Sequence, residues 1–346
     1  MKKLLSNRFF PIIIFGGAAL IVFVALFLNP PTNNIETNTQ KTSESSPAAK
    51  IKKTEAAPAE SLNPYFIESM KQREYPGSEI KIEETVGSFG KFTSYVVSYL
   101  SDGLKIFALM NVPKNNKPAQ GFPVVIVNHG FIEPSSYSTT ASYKKISDFY
   151  ANNGFLVLKP DYRGHAKSQG EAGSLNRILY AVDVLNLISS VWGIQQANPE
   201  KIFMYGHSMG GDVTLRVLEV TEKVQAATLW APVSAPYPEN LLYFVRRHRP
   251  EMVQQIQTAI ETTFAKEDLV RASPIENTKF LKTPLIIHHG TSDESVPYSW
   301  SIDLNKKLNE AKKTHTFYTY NGEDHNFTRG SWSTASSQDI QFFASY

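Results

Sequence analysis

The sequence predicts an α/β protein in which helices cover both faces of a mostly parallel central sheet. Short, continuously apolar runs recur along the chain at 124–127, 155–158, 202–205, 226–230 and 285–288, and a more alternating run follows at 316–320. Amphipathic helical stretches lie between or after these runs, near 141–152, 175–192, 209–222, 299–311 and 334–345. Strands that are apolar throughout are buried on both faces, and their alternation with helices favours parallel pairing.

Two segments modify this alternation. Residues 92–99 and 104–112 predict a pair of antiparallel strands, because Ser101-Asp102-Gly103 between them contains an Asp-Gly turn signal. Residues 233–275 separate two apolar runs and predict two or three helices. The carboxyl ends of parallel strands share one edge of the sheet, where ligand sites form. We therefore expect 233–275 to be a helical lid insertion at that edge.

The N-terminal residues have the pattern of a membrane-spanning segment. Basic residues precede an uncharged stretch of about 20 residues, Phe9 to Leu28, which is long enough to cross roughly 30 Å of hydrocarbon as a helix. The basic charges before it predict that the following chain faces outward. Residues 25–31 place bulky side chains where signal cleavage requires small ones. We expect residues 1–28 to be an uncleaved single-pass transmembrane helix that keeps the rest of the chain extracytoplasmic; secretion after signal cleavage is the alternative.

The chain beyond this segment divides by composition. Residues 29–61 are rich in Asn, Thr, Ser, Pro, Ala and Lys and contain few large apolar side chains. Such a stretch buries too little surface to offset its ordering entropy, so it predicts a disordered linker. Residues 62–346 have globular texture and form one predicted domain.

The overall composition excludes several classes of site. The chain has 346 residues, 42% of them hydrophobic and 19% charged, and a net charge of +3. Its most basic run, residues 246–249, is typical of a solvated helix face, so we expect no nucleic-acid partner. Without cysteine there is no disulfide, thiolate metal site or cysteine nucleophile. The adjacent His288 and His289 would face opposite ways in a strand, and we expect neither a metal nor a cofactor.

One serine lies among glycines between an apolar run and a helical pattern. Gly206-His207-Ser208-Met209-Gly210 matches G-x-S-x-G, in which the small residues let a strand and a helix approach at a sharp turn. The turn forces the serine into a strained backbone conformation. The motif predicts that Ser208 is a nucleophile; a plain strand–helix turn is the alternative.

A serine nucleophile needs a base, and the base needs an orienting acid. Asp293 lies in a loop after the run at 285–288, in a position to supply that carboxylate, although it could also cap the following helix. Glu294 is a weaker candidate for the acid. His325 lies in a polar loop after the last run and is the candidate general base.

The reaction also needs hydrogen-bond donors for a developing oxyanion. The backbone N–H of Met209 begins the helix after Ser208, at the positive end of its dipole. Gly130 lets the loop after the run at 124–127 turn closely past the serine, so the backbone N–H of Phe131 is the second candidate donor. An ordinary strand-end turn is the alternative interpretation of His129-Gly130.

Six short motifs then follow one another in a characteristic order over roughly residues 90–346. They are Val127-Asn128-His129-Gly130, Asp161-Tyr162-Arg163-Gly164-His165 with Ser168, Gly206 to Gly211, Ala272-Ser273-Pro274-Ile275, His289-Gly290 with Asp293 and Val296-Pro297, and Asp324-His325. This order resembles that of prolyl oligopeptidase-like (S9-type) serine hydrolases of the α/β-hydrolase superfamily. The resemblance implies the α/β-hydrolase fold, acyl transfer through an acyl-serine, the triad Ser208, Asp293 and His325, and an oxyanion hole from Phe131 and Met209.

The chain departs from that family in two ways. The peptidases with a glycine pair in the oxyanion loop have a second glycine where this chain has Phe131. Only about 60 residues separate the predicted linker from the first core strand, too few for the β-propeller of the long S9 peptidases. We therefore do not expect dipeptidyl-peptidase specificity, and we expect the Asp161–His165 stretch to be structural.

Together these features predict a serine hydrolase that acts on a small ester or a short peptide. Apolar residues of the insertion, Leu241 to Val245 and Phe264, could line an acyl pocket or simply pack on the sheet edge. The alternative from another class is a non-catalytic binding or scaffold protein that kept the fold. The sequence makes no prediction of the oligomeric state.

Overall fold

The computed structural model describes residues 63–173 and 175–346. The predicted transmembrane segment, residues 1–28, and the predicted linker, residues 29–61, lie outside this part of the chain. Between residues 63 and 173 and from 175 onward, no helix has both the length and the apolar character that crossing a membrane requires.

A nine-stranded sheet forms the centre of the fold, in the order β1-β2-β3-β5-β4-β6-β7-β8-β9. The strands are β1 (Lys81–Phe89), β2 (Phe92–Ser101), β3 (Leu104–Pro113), β4 (Phe122–Asn128), β5 (Leu156–Pro160), β6 (Ala197–His207), β7 (Val224–Trp230), β8 (Leu285–Gly290) and β9 (His315–Tyr320). The first three pair antiparallel, and β3 is antiparallel to β5. From β5 to β9 every pairing is parallel. The mostly parallel sheet is confirmed.

Helices pack on both faces of this sheet. They are α1 (Ile67–Gln72), α2 (Lys144–Asn152), α3 (Tyr180–Ser190), α4 (Met209–Val220), α5 (Glu239–His248), α6 (Val253–Thr263), α7 (Tyr298–Glu310) and α8 (Trp332–Phe343). Along β4, Val124 and Ile126 join the core under α3 and α4, whereas Val125 and Val127 join the core under α2 and α8. Side chains alternate across a strand, so an apolar run supplies both cores.

The segment between β7 and β8 contains α5 and α6, followed by short 3₁₀ helices at Lys266–Val270, Pro274–Glu276 and Thr278–Phe280. Leu241, Leu242 and Phe264 are buried in the main core, which also contains residues of α3 and α4. Of the two roles considered for these apolar side chains, the structure shows the packing role. Tyr243 and Phe244 are partly buried beside Trp300 of α7.

Two elements differ from the sequence-based expectation. The sequence does not predict strand β1, because β1 is a mostly exposed edge strand without an apolar run. Its sequence is Lys-Ile-Glu-Glu-Thr-Val-Gly-Ser-Phe. The helical stretch expected at 175–192 is interrupted: a 3₁₀ turn at Asn176–Leu179 precedes α3, and a second one, Val191–Gly193, follows it. Only the buried middle of that stretch is regular α-helix.

Candidate active site

Ser208 lies in a strained turn between β6 and α4. Its backbone angles are φ 56° and ψ −122°, a conformation that residues other than glycine rarely adopt. A Cβ at Gly206 would lie 2.3 Å from Thr214 Oγ1, and a Cβ at Gly210 would lie 2.0 Å from the carbonyl oxygen of Asn128. Both glycines are therefore needed for the close approach of strand and helix, as the motif predicts. The turn holds Ser208 partly exposed at the carboxyl edge of the sheet.

Asp293 and His325 form a hydrogen-bonded pair. His325 Nδ1 lies 2.7 Å from Asp293 Oδ2, although the two residues are 32 positions apart in the chain. Asp293 Oδ1 accepts hydrogen bonds from the backbone N–H groups of Ser295 and Val296, each at 2.8 Å. Burial alone would raise the pKa of Asp293, but the hydrogen bonds from His289 and His325 outweigh it and lower that pKa well below its ordinary value. The carboxylate is therefore ionised at neutral pH.

A second histidine binds the same carboxylate oxygen, and sequence reasoning did not assign it to the site. His289 Nε2 lies 3.0 Å from Asp293 Oδ2, and His289 Nδ1 lies 2.6 Å from Ser301 Oγ. The carboxylate only accepts, so Nε2 carries the hydrogen and Nδ1 accepts from the serine hydroxyl. His288 lies on the opposite face, 3.1 Å from Asp339. The alternation of the two histidines was the available signal, but it does not tell which of them faces the acid.

The loop after β4 passes directly beside Ser208. A Cβ at Gly130 would lie 2.9 Å from Ser208 Cβ and 2.5 Å from Tyr143 Oη, so only glycine fits there. The N–H of Gly130 donates to Tyr143 Oη at 2.8 Å. Phe131, which follows, has a side chain that is 66% exposed. Met209 begins α4 on the other side of the serine. Both predicted oxyanion donors thus belong to backbone segments that flank Ser208.

Ser208 and His325 are linked through His207, the residue that precedes the serine in the chain. Among the hydrogen bonds of residues 63–173 and 175–346, none joins Ser208 Oγ to His325. Instead His207, next to the serine, binds the carbonyl oxygen of His325 at 3.0 Å, and the two imidazole rings are 4.6 Å apart. Nucleophile–base hydrogen bonds are often long or absent before substrate binds, so the geometry is compatible with the predicted roles.

The Asp161–His165 stretch binds the loop that follows β4. Asp161 accepts hydrogen bonds from Tyr137 Oη at 2.9 Å and Thr139 Oγ1 at 2.5 Å, both from the loop that follows Gly130. Lys159 is fully buried beside them, and burial lowers its pKa to about 8. These contacts join the loop to Asp161, and they fit the structural role that the sequence predicts for this stretch.

The insertion reaches both loops of the site through the basic end of α5. Arg249 pairs with Glu133 at 2.6 Å, and Glu133 lies in the same loop as Phe131. Arg247 Nη1 donates to the carbonyl oxygen of Glu294 at 2.7 Å, directly after the predicted acid. The basic run is exposed, as predicted, but two of its arginines connect the insertion to the edges of the site.

Residues 63–173 and 175–346 contain no group of three or more His, Asp or Glu side chains arranged to hold a metal ion.

Comparison with known proteins finds hydrolases among the proteins that this chain resembles. A family model described as serine aminopeptidase, S33, matches residues 120–277, which include Ser208. Protein ABHD12B of Homo sapiens is 27% identical over 197 residues, covering 55% of this chain, and the chain spans half of that protein's length. The uncharacterized peptidase YtmA of Bacillus subtilis (strain 168) is 24% identical over 242 residues, covering 67% of this chain and 86% of that protein.

Solved structures share the architecture. Acetyl xylan esterase 1 from Thermoanaerobacterium sp. superposes with a TM-score of 0.63 at 16% identity, over 83% of this chain and 93% of that one. The acylaminoacyl peptidase of Pyrococcus horikoshii superposes with a TM-score of 0.60 at 18% identity, over 74% of this chain and 42% of that one. At these identities the likeness shows the fold, which an esterase and a peptidase share.

Proposed function

We propose that the chain is a serine hydrolase of the α/β-hydrolase superfamily, and that Ser208 attacks the carbonyl carbon of a small ester or a short peptide to form an acyl-serine. The observation that carries this assignment is the 2.7 Å hydrogen bond between His325 Nδ1 and Asp293 Oδ2, beside a serine in a strained turn. The alternative, a scaffold protein that has lost activity, gives no reason to keep the strained turn and the ionised acid together.

In the proposed reaction His325 is the general base. Its Nδ1–H donates to Asp293, so its Nε2 is free to take the proton from Ser208 Oγ as the oxygen bonds to the carbonyl carbon. The carbonyl oxygen becomes an oxyanion, which the backbone N–H groups of Phe131 and Met209 stabilise. His325 then gives the proton to the leaving alcohol or amine.

The second half of the cycle repeats these roles with water. His325 removes a proton from a water molecule that attacks the acyl carbon, and the ester bond to Ser208 Oγ breaks as the oxygen regains a proton. The products are a carboxylic acid and free enzyme.

The motif order and the shared fold support a prolyl oligopeptidase-like peptidase and an acyl esterase about equally. Amide cleavage requires protonation of a poor leaving group, whereas an ester leaves more readily. Paired substrates with the same acyl group, a 4-nitrophenyl ester and a 4-nitroanilide, separate the two classes by their relative kcat/KM.

The assignment of Ser208 is tested with a fluorophosphonate probe on the purified full-length protein. We expect the wild type to be labelled and Ser208→Ala to lose both labelling and ester turnover. Ser333→Ala, which alters an exposed serine at the start of α8, is the control and should be labelled like the wild type. Absence of labelling in folded wild-type protein would favour the scaffold alternative.

We also propose that residues 1–28 anchor the protein in a membrane with the hydrolase domain on the extracytoplasmic side. The proposal rests on the basic residues before the apolar stretch and on the bulky residues at its end. Alkaline carbonate should leave the full-length protein in the membrane fraction. A mature protein whose N-terminus lies after residue 28 would instead show a cleaved signal.

A further inference from the structure

A chain of three hydrogen bonds runs across the site and joins its separate loops. The N–H of Gly130 donates to Tyr143 Oη at 2.8 Å. Tyr143 Oη lies 2.5 Å from His207 Nδ1, and His207 Nε2 lies 3.0 Å from the carbonyl oxygen of His325. The first loop carries a predicted oxyanion donor, and the last carries the predicted base. His207 is part of the turn that holds the nucleophile, so the three hydrogen bonds connect all three functions.

The direction of every bond in this chain follows from its end points. The carbonyl oxygen of His325 can only accept, so His207 Nε2 carries a hydrogen. Burial, and then the neighbouring His325, lower the pKa of His207 to about 3, which keeps its ring neutral. A neutral ring with Nε2–H has a bare Nδ1, which accepts the hydroxyl hydrogen of Tyr143. That hydroxyl oxygen in turn accepts the N–H of Gly130.

This arrangement decides which amides can bind the oxyanion. The N–H of Gly130 is occupied by Tyr143, so it does not point at a bound carbonyl. The N–H of the next residue, Phe131, remains the candidate donor from this loop. A Cβ at Gly130 would lie 2.5 Å from Tyr143 Oη and 2.9 Å from Ser208 Cβ, so the backbone of this loop lies close to both that hydroxyl and the nucleophile.

We propose that Tyr143 and His207 are positioning residues that hold the oxyanion loop and the backbone of His325 at fixed positions on the two sides of Ser208. The inference rests on the proposed function, because the relative position of the two loops matters only if both act on one carbonyl group. A displacement of about 1 Å in such a site can reduce the rate roughly a hundredfold. His207 also contacts the ring of His325, with centroids 4.6 Å apart. His207 must remain neutral there while His325 carries the proton taken from Ser208.

Tyr143→Phe removes one hydroxyl and leaves the rest of the side chain in place. We expect kcat for a 4-nitrophenyl ester to fall by roughly tenfold to a hundredfold, with KM changed less than about threefold, because the loop positions the oxyanion rather than the bound substrate. Tyr150→Phe, in the helix that begins directly after Tyr143, is the matched control. Its hydroxyl donates to Asp339 at 2.8 Å and takes no part in the three hydrogen bonds between Gly130 and His325, so this variant also loses a buried hydrogen bond. We expect that variant to lose stability but to keep kcat.

A double-mutant cycle tests whether the two residues act as one chain. His207→Leu removes both hydrogen bonds of the imidazole ring, and Tyr143→Phe removes the hydrogen bond between the two residues. If they act in series, the double variant should lose no more than about threefold beyond the worse single variant. His207→Gln can donate to the carbonyl of His325 and accept from Tyr143, so it should recover part of the lost kcat. Multiplicative losses in the cycle, or wild-type kcat in Tyr143→Phe, would overturn the proposal.

The fluorophosphonate probe separates this inference from the function on which it rests. If folded wild-type protein is not labelled, the proposed function fails. If the wild type is labelled and turns over ester while the positioning variants match it, only the inference fails. Should Tyr143→Phe not fold, nitrogen-15 NMR of histidine-labelled wild-type protein provides the second measurement. We expect the neutral Nε2–H tautomer at His207, and the Nδ1–H tautomer or a charged ring at neutral pH would overturn the proposal.

Discussion

Mild acid should destabilise the protein measurably through one histidine. His207 has a pKa lowered to about 3 from the ordinary value of 6.5, chiefly by burial and then by the charge of His325. The ionisable groups that face it are Tyr143, His325, Asp293 and His289; the charge of Asp293 and the hydrogen bond to the carbonyl oxygen of His325 favour a protonated ring, but burial outweighs both. The folded protein therefore excludes a proton that the unfolded chain accepts.

The size of the effect follows from the two pKa values. Between pH 6.5 and pH 3 the unfolded chain binds more protons than the folded protein at this histidine, so the free energy of unfolding falls as the pH falls. Each pH unit in that window costs about 1.4 kcal/mol. Between pH 7 and pH 5, about 1.5 pH units lie below the ordinary pKa of 6.5, and over this span the unfolded chain holds the additional proton. His207 alone should therefore account for a loss of about 2 kcal/mol in the free energy of unfolding. Above pH 6.5 its contribution is constant.

The assay is urea unfolding of the purified full-length protein at pH 7 and pH 5. Tryptophan fluorescence follows the transition, since Trp230 is 1% exposed in the core. Other groups also titrate in this range, so the comparison is between variants. The loss in His207→Gln should be about 2 kcal/mol smaller than in the wild type, whereas His248→Gln, which changes an exposed histidine at the end of α5, should match the wild type. Equal losses in His207→Gln and the wild type would refute the claim that the fold keeps this ring neutral.

Three further outcomes follow from the contacts of the site. Asp293→Asn should lower kcat for esters roughly a thousandfold or more with little change in KM, because an amide is uncharged and has only one accepting oxygen, whereas both carboxylate oxygens accept N–H groups here. Steady-state kinetics measure this loss, and a loss below tenfold would contradict the role. Gly210→Ala should destabilise by at least about 2 kcal/mol in thermal unfolding, since its Cβ would lie 2.0 Å from the carbonyl oxygen of Asn128; an unchanged Tm would contradict the close approach. Glu133→Gln should change the free energy of unfolding by less than about 1 kcal/mol, because the pair with Arg249 is about half exposed and screened by salt; a larger change in urea unfolding would assign that pair a structural role.

The central strands were predictable because their sequence carries a strong signal. A strand buried on both faces must be apolar at every position, and β4 and β7 are apolar at nearly every position. The edge strand β1 has the opposite character, because one side of it faces solvent and charged residues are tolerated there. Nothing in its composition distinguishes it from a loop, and only its pairing with β2 makes it a strand.

The strained turn at Ser208 was predictable for a different reason. Its constraints are local, because Gly206 and Gly210 lie within two residues of Ser208 and are required by the same sharp turn. Tyr143 and His289 carry no such signal. Tyr143 lies 64 residues before the histidine that it binds, and the contact depends on how two loops meet at the sheet edge. For His289 the sequence predicts alternation with His288 but not which of the two faces Asp293.

The surroundings of Asp293 also explain why a carboxylate with an extra histidine suits the proposed chemistry. Two ring N–H groups and two backbone N–H groups of the following turn occupy its oxygens, so the carboxylate has one orientation and His325 Nδ1 has one partner position. Despite burial, those hydrogen bonds lower the pKa of Asp293 well below its ordinary value. A carboxylate of such low basicity stabilises a positively charged His325 but does not take its proton. In the proposed reaction, the proton removed from Ser208 therefore stays on the imidazole, which can give it to the leaving group. His289 adds one of the hydrogen bonds that lower this pKa, so its loss should weaken that arrangement without removing any group that touches the substrate.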